Sequence, residues 1–339
     1  MTPQRVYGDT FWRLLAPIRP LLEDPDVTEV LINGPERIFV ERNGQLEPSG
    51  RRLGGSAELL AVLRSAAQYA GEELDESERL IGLTLPDGVR LWAALPPLAR
   101  DGPVVRMRRP HAACSSLAEL GRCGALPTEV AELLSSRVEA GSNMVIVGRS
   151  RSGKTAVLAA LAAAIPARDR VLVLSHGREL RLEREHVVCL DQAMAVCGTE
   201  PQVDPHHPFR AALSLRPDWV VLSELRGGEA LALIRIMALR DVRWLTTVEA
   251  TTAQHALRRI EALARSSDAR VSLESVRSEI AAGLDVVIHV EPDSAGHFRV
   301  AHVVEVGPLR HGRAGLEVRD LFVSPAAHAS SGDGPPRLQ

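Results

Sequence analysis

The eight residues Gly148-Arg149-Ser150-Arg151-Ser152-Gly153-Lys154-Thr155 fit the spacing G-x-x-x-x-G-K-[ST]. Glycines near both ends let the backbone curl until successive N–H groups face one point, and a helix that starts where the loop ends aims its dipole there too. A phosphate is the anion such a cradle suits. Lys154 would reach the β- and γ-phosphates of ATP, and the Thr155 hydroxyl is a hard oxygen donor for Mg²⁺. Lys154 is also the single lysine of the sequence, against 39 arginines. A chain that uses guanidinium wherever else it needs a cation keeps a compact ammonium here, where a planar fork does not fit. Downstream, the apolar run Trp219–Leu222 ends in Ser223-Glu224. A strand-end glutamate is ordinarily just solvated. Beside a phosphate loop, Glu224 becomes the candidate catalytic carboxylate and, with Thr155, a candidate Mg²⁺ residue.

The elements around these residues read as two domains. Residues 1–110 form an α+β domain: a helical start at Phe11–Leu22, then a hairpin of strands at Glu29–Ile32 and Arg37–Glu41. A helix follows at Glu58–Ala70, with short strands near Leu83–Leu85 and Val89–Ala93. Residues 111–125 read as a linker. From 126 to 323 strand and helix alternate: helix Pro127–Ala140, strand Met144–Val147, the glycine loop, helix Thr155–Ile165 and strand Val171–Leu174. Strand Trp219–Leu222, helix Gly228–Leu239 and strand Leu245–Val248 continue the rhythm. This pattern predicts an α/β fold with a mainly parallel sheet. Asp285–Val290 and Arg299–Val306 read as a late strand pair, and 324–339 as a disordered tail rich in Ser, Pro and Gly.

Composition narrows the function. The formal net charge is −3 and aromatic residues are 3% of 339, so the chain lacks the charge footprint of an obligate nucleic-acid binder and has few stacking platforms, with a local basic groove still open. No apolar run approaches the ~20 residues of a membrane span, and the first residues have no apolar signal core, which predicts a cytoplasmic protein with no integral membrane segment. Cys114, Cys123, Cys189 and Cys197 make no CxxC, and Cys189, Cys197, His206 and His207 match no common zinc spacing.

Several longer blocks carry a resemblance. Pro20–Pro35 with Arg37–Arg42, Leu85–Arg90 with Pro96-Pro97, Leu215–Ala230 and Asp320-Leu321-Phe322 together resemble the ATPases of type II and type IV secretion systems. The likeness is strongest to the CpaF-like ATPases of tight-adherence (Flp) pili. It implies a hexameric ring of two-domain subunits in which an N-terminal domain and a RecA-like P-loop domain hold ATP. It implies ATP-driven motion passed to inner-membrane platform proteins, so that the chain works at the membrane through its partners. It also implies that Arg90, Arg106, Arg108 and Arg109 reach the nucleotide phosphates.

Two departures stand out. Where the family carries an acidic pair after the second core strand, this sequence has Ser175-His176, keeping the later Glu179; where the family has a His after Leu-Thr-Thr-aliphatic, Leu245–Val248 is followed by Glu249. Acid has become imidazole at one place and imidazole has become acid at the other. The pair His176–Glu249 is therefore expected within hydrogen-bond or one-water reach, as a swapped catalytic couple. The competing expectation is a scaffold subunit that binds nucleotide and hydrolyses it poorly.

Overall fold

A computed structural model describes residues 3–24, 26–42, 45–74, 79–109, 116–175, 180, 182, 184–191, 213–227, 229–268, 270–293, 297–309 and 315–325. The chain divides into two compact units, Met1–Ala112 and Ala113–Gln339.

The first unit is a six-stranded sheet covered on one face by helices. The helical start read as one segment is two helices, Pro3–Leu14 and Arg19–Glu23. Pro17 disfavours helical backbone at Ala16 and brings no N–H of its own, whereas Pro20 falls in a first turn, where none is needed. The strands are β1 (Val27–Asn33), β2 (Ile38–Arg42), β3 (Gln45–Pro48), β4 (Leu80–Thr84), β5 (Arg90–Ala94) and β6 (Val104–Arg108). Their order is β3-β2-β1-β6-β5-β4, with every neighbouring pair antiparallel. Alternation sets the two faces. Val30, Ile32, Leu91, Ala93, Val105 and Met107 turn inward to a core that includes Leu59, Leu63 and Ala66 of the helix Ser56–Ala70. The opposite face carries Glu29, Arg90, Trp92, Arg106 and Arg108.

The second unit is an eight-stranded sheet: β7 (Met144–Gly148), β8 (Val171–Ser175), β9 (Val187–Asp191), β10 (Trp219–Leu222), β11 (Arg243–Glu249), β12 (Val286–Pro292), β13 (Phe298–Val306) and β14 (Val318–Val323). The order is β14-β13-β12-β7-β11-β10-β8-β9. From β12 to β9 all pairs are parallel; β13 and β14 close one end antiparallel. The fold is thus α/β with a mainly parallel sheet, as the alternating pattern predicts, and the late strand pair is β12–β13. Strands β7, β8 and β10 are buried along their whole length, which is why they read as unbroken apolar runs rather than alternating ones. The helices Thr128–Glu139 and Lys154–Ala163 cover one face, and Glu229–Leu239, Ala253–Ser267 and Leu273–Gly283 the other.

Within the stretch read as a linker, Leu117–Arg122 is a helix whose Leu117 and Leu120 are buried in this unit's core. Ser324 is not a loose start to the tail: it is buried, and its N–H donates to Ala301 O at 2.8 Å. Residues 326–339 lie outside the described residues.

One buried side chain ties the sheet's central strands together at their lower edge. Asn143 Oδ1 accepts the Trp244 N–H at 2.8 Å, while its Nδ2 donates to the Gly283 carbonyl at 2.6 Å. The start of β7 is thereby locked to the start of β11. Chain order crosses between β7 and its neighbours on either side, and such a switch point opens a crevice at the carboxyl ends of the strands.

Candidate functional site

At the carboxyl end of β7 the loop is closed by contact rather than by choice of flexible residues. A Cβ on Gly148 would lie 2.2 Å from Ser152 Oγ and 2.4 Å from the Val290 carbonyl oxygen. Gly153 has φ +90°, and a Cβ there would fall 2.2 Å from the ring of Phe298. Both glycines are therefore required by the curl itself. The helix Lys154–Ala163 then begins, with Thr155 exposed in its first turn. Its far end is gripped by Arg184, whose guanidinium donates to the carbonyls of Ala162, Ile165, Pro166 and Asp169 at 2.7 to 3.3 Å. A cation there satisfies orphan carbonyls and offsets the negative pole of the helix.

Lys154 folds back across the mouth of the loop. Its Nζ donates to Gly148 O at 3.0 Å and to Arg149 O at 2.7 Å. Burial pulls this ammonium below the ordinary lysine pKa, and the carboxylates of Glu249 and then Glu224 push it back up. Glu249 stands opposite Gly148 in the β11–β7 register. Its Oε1 accepts the Ser150 N–H at 3.2 Å. Glu224 follows β10 and is held by Arg226, Nη2 to Oε2 at 2.6 Å. Glu229 Oε1 in turn accepts the N–H groups of Arg226 and Gly227 at 2.8 and 3.0 Å, fixing the turn that presents Glu224. Inside the loop, Ser152 Oγ is buried without a hydrogen-bond partner.

These features fit a phosphate: a backbone N–H already holding an anionic oxygen, an ammonium at the rim, and an orphaned hydroxyl within the curl. The Thr155 hydroxyl and Glu224 carboxylate are the hard oxygen donors Mg²⁺ takes.

A profile of the family described as type II/IV secretion system protein matches residues 13–300. The chain belongs to that family. It is 29% identical over 292 residues to a putative conjugal transfer protein of Mycobacterium tuberculosis, spanning 84% of this chain and 82% of the relative. It is 27% identical to the type IV secretion system protein PtlH of Bordetella pertussis, over 86% of this chain and 93% of that one. The pilus retraction motor PilT, solved with bound ADP, has a similar fold: TM-score 0.60 at 16% identity, covering 88% of this chain and 83% of PilT.

In this type II/IV secretion system protein the loop Gly148–Thr155, Glu224 and Glu249 share the carboxyl edge of β7, β10 and β11. His176 lies outside the described residues; it follows Ser175, the end of β8, and β10 stands between β8 and β11. The first unit's arginines form their own group. Glu29, only 2% exposed, binds Arg106 through both carboxylate oxygens, with Arg108 Nε at 3.9 Å. Arg90 and Arg106 flank the Trp92 ring at 5.8 and 5.1 Å, and Arg109 Nη1 donates to Asp24 O at 2.6 Å. Cys123 and Cys189 are exposed and take part in no disulfide, whereas Cys114, Cys197, His206 and His207 are outside the described residues. Among the described residues no group of three or more His, Cys, Asp or Glu could hold a metal, and no helix is long and apolar enough to cross a membrane. One site residue was not anticipated from sequence: Arg226, whose spacing of two from Glu224 was the available signal. Ser152 is part of the phosphate cradle read from sequence, but the lack of a partner for its hydroxyl has no sequence signal.

Proposed function

We propose that this chain is the ATP-hydrolysing motor subunit of a type II/IV secretion machine, of the kind that assembles Flp-type pili or exports protein. The observation that carries the reading is the sequence's one ammonium, Lys154, at the mouth of a closed glycine loop with Glu224 and Glu249 acting on it. The pilus subtype rests on the resemblance of the N-terminal blocks.

The roles follow from the chemistry of each group. N–H groups of Gly148–Thr155 hold phosphates, and Lys154 exchanges its bonds to Gly148 and Arg149 carbonyls for oxygens of the terminal phosphates. Thr155 and Glu224 would hold Mg²⁺, which supplies charge neutralisation on those oxygens. Glu224, released from Arg226, orients and deprotonates the attacking water. His176 and Glu249 are assigned to assist it as a carboxylate–imidazole pair. Arg90, Arg106, Arg108 and Arg109 are assigned to the phosphates by resemblance alone. The same reading makes the working form a hexameric ring on the cytoplasmic side of the inner membrane, docked on platform proteins and binding no nucleic acid. Its domains are an N-terminal α+β domain over 1–110 and the ATPase domain over 126–323, with 111–125 between them.

A second reading, a nucleotide-binding scaffold with poor hydrolysis, is favoured by Ser175-His176 and Glu249 standing where the resemblance places acids and His. Steady-state ATP turnover separates the two. The motor reading expects Mg²⁺-dependent turnover that chelation by EDTA stops, and that both Lys154→Ala and Glu224→Gln reduce by at least about a hundredfold. Wild-type turnover no higher than that of Glu224→Gln, with nucleotide binding intact, establishes the scaffold.

A further inference from the structure

Glu249 does more at this loop than stand near it. Its backbone is fixed: it is the last residue of β11, paired in register with Gly148, and the next residue, Ala250, donates its N–H to Gly148 O at 3.2 Å. From that fixed point the carboxylate reaches forward to the Ser150 N–H, a donor 99 residues away in sequence. Of the two carboxylates that act on Lys154, Glu249 acts more strongly.

Which phosphate this position serves can be read from Lys154. The loop lysine belongs to the β- and γ-phosphates. Here its ammonium lies on the carbonyls of Gly148 and Arg149, the rim on which Ser150 is the next residue. The N–H that Glu249 occupies therefore belongs to the terminal-phosphate end of the cradle, not to the helix end at Thr155. Two anions cannot share one N–H donor, and a carboxylate left beside a phosphate oxygen repels it.

We propose that Glu249 is a specificity residue that sets the preference between nucleoside triphosphate and diphosphate. Its carboxylate stands in for the third phosphate on Ser150 and must leave before a triphosphate can seat, whereas a diphosphate seats without disturbing it. The emptied loop is thus biased towards the product nucleotide, and loading ATP has to displace a tethered competitor. The inference rests on the phosphate-loop reading above and adds a discrimination that the loop motif does not contain.

The test is binding of Mg²⁺-ADP and of Mg²⁺-AMP-PNP, a triphosphate analogue that is not turned over, to the full chain as wild type, Glu249→Gln and Lys154→Ala. Glu249 is exposed, so glutamine replaces charge without a packing change. Expected is an AMP-PNP affinity about tenfold higher in Glu249→Gln, with ADP affinity within about twofold of wild type. An unchanged ratio of the two affinities, or weaker AMP-PNP binding in Glu249→Gln, overturns the proposal; if Lys154→Ala still abolishes binding, the phosphate-loop reading survives that result. Should wild type and Glu249→Gln bind neither nucleotide, with Lys154→Ala no different, the phosphate-loop reading fails and this inference falls with it.

Discussion

Gly153 illustrates how a single position can be demanded twice, by its dihedral and by its neighbour. With φ at +90° and the Phe298 Cβ 2.7 Å from the site of an added methyl, relief cannot come from turning the far end of a flexible side chain. Gly153→Ala is expected to cost about 2 kcal/mol of stability. The measurement is the urea midpoint, and an unmoved midpoint would show that the loop relaxes around the methyl. Local requirements of this sort are what made the loop legible beforehand. Glycine at 148 and 153, lysine at 154 and threonine at 155 each answer a need set within eight residues. The bond between Glu249 and Ser150 was not legible, because it exists only once β11 lies beside β7, and strand order is not written in any one segment. Arg226 sits between these cases: near in sequence to Glu224, yet its grip depends on a turn that Glu229 shapes.

Elements were readable where burial is one-sided or complete, and unreadable where the pattern is flat. β10 was bounded from sequence because four consecutive buried residues end at a polar pair. β3 has all four residues exposed and so offers no alternation to detect. The long helix expected over Phe11–Leu22 failed at Pro17, where local backbone chemistry overrides apolar spacing. At this scale His289 on β12 makes a pH prediction. It lies in register with Val147 of β7 and with His302 of β13, and His302 Nε2 is 2.8 Å from Asp320 Oδ1 on β14. Burial, chiefly, holds the His289 pKa below its ordinary 6.5, with His302 lowering it further and Glu291 opposing. The folded chain therefore binds this proton less readily than the unfolded chain. Above pH 6.5 both forms are neutral and nothing is lost; as pH falls from there towards the folded-state value, the unfolded chain protonates first and stability drops. His289→Asn removes this contribution while leaving every carboxylate titration in place. Its urea midpoint is expected to fall less than that of wild type between about pH 7.5 and pH 5.5. Equal falls in the two proteins would contradict the assignment.

For the whole molecule, the ring proposed above is the property with the most direct test. If subunits complete one another's sites, inactive Lys154→Ala chains mixed one to one with wild type should lower turnover by clearly more than half; a loss of about half means that each subunit works alone. The α/β class and the mainly parallel sheet were legible at this scale, since strand and helix alternate for some 200 residues. The antiparallel end of the sheet was legible only in part, as the strand pair read at Asp285–Val290 and Arg299–Val306. The lone lysine has one more consequence, and it concerns covalent chemistry rather than affinity. Reagents that acylate amines meet, apart from a terminal amine, a single side chain in the whole sequence, and a protease specific for lysine has a single bond to cut. Both targets lie at the rim of the loop, so every side-chain label from such a reaction reports from one atom at the place where the proposed chemistry happens.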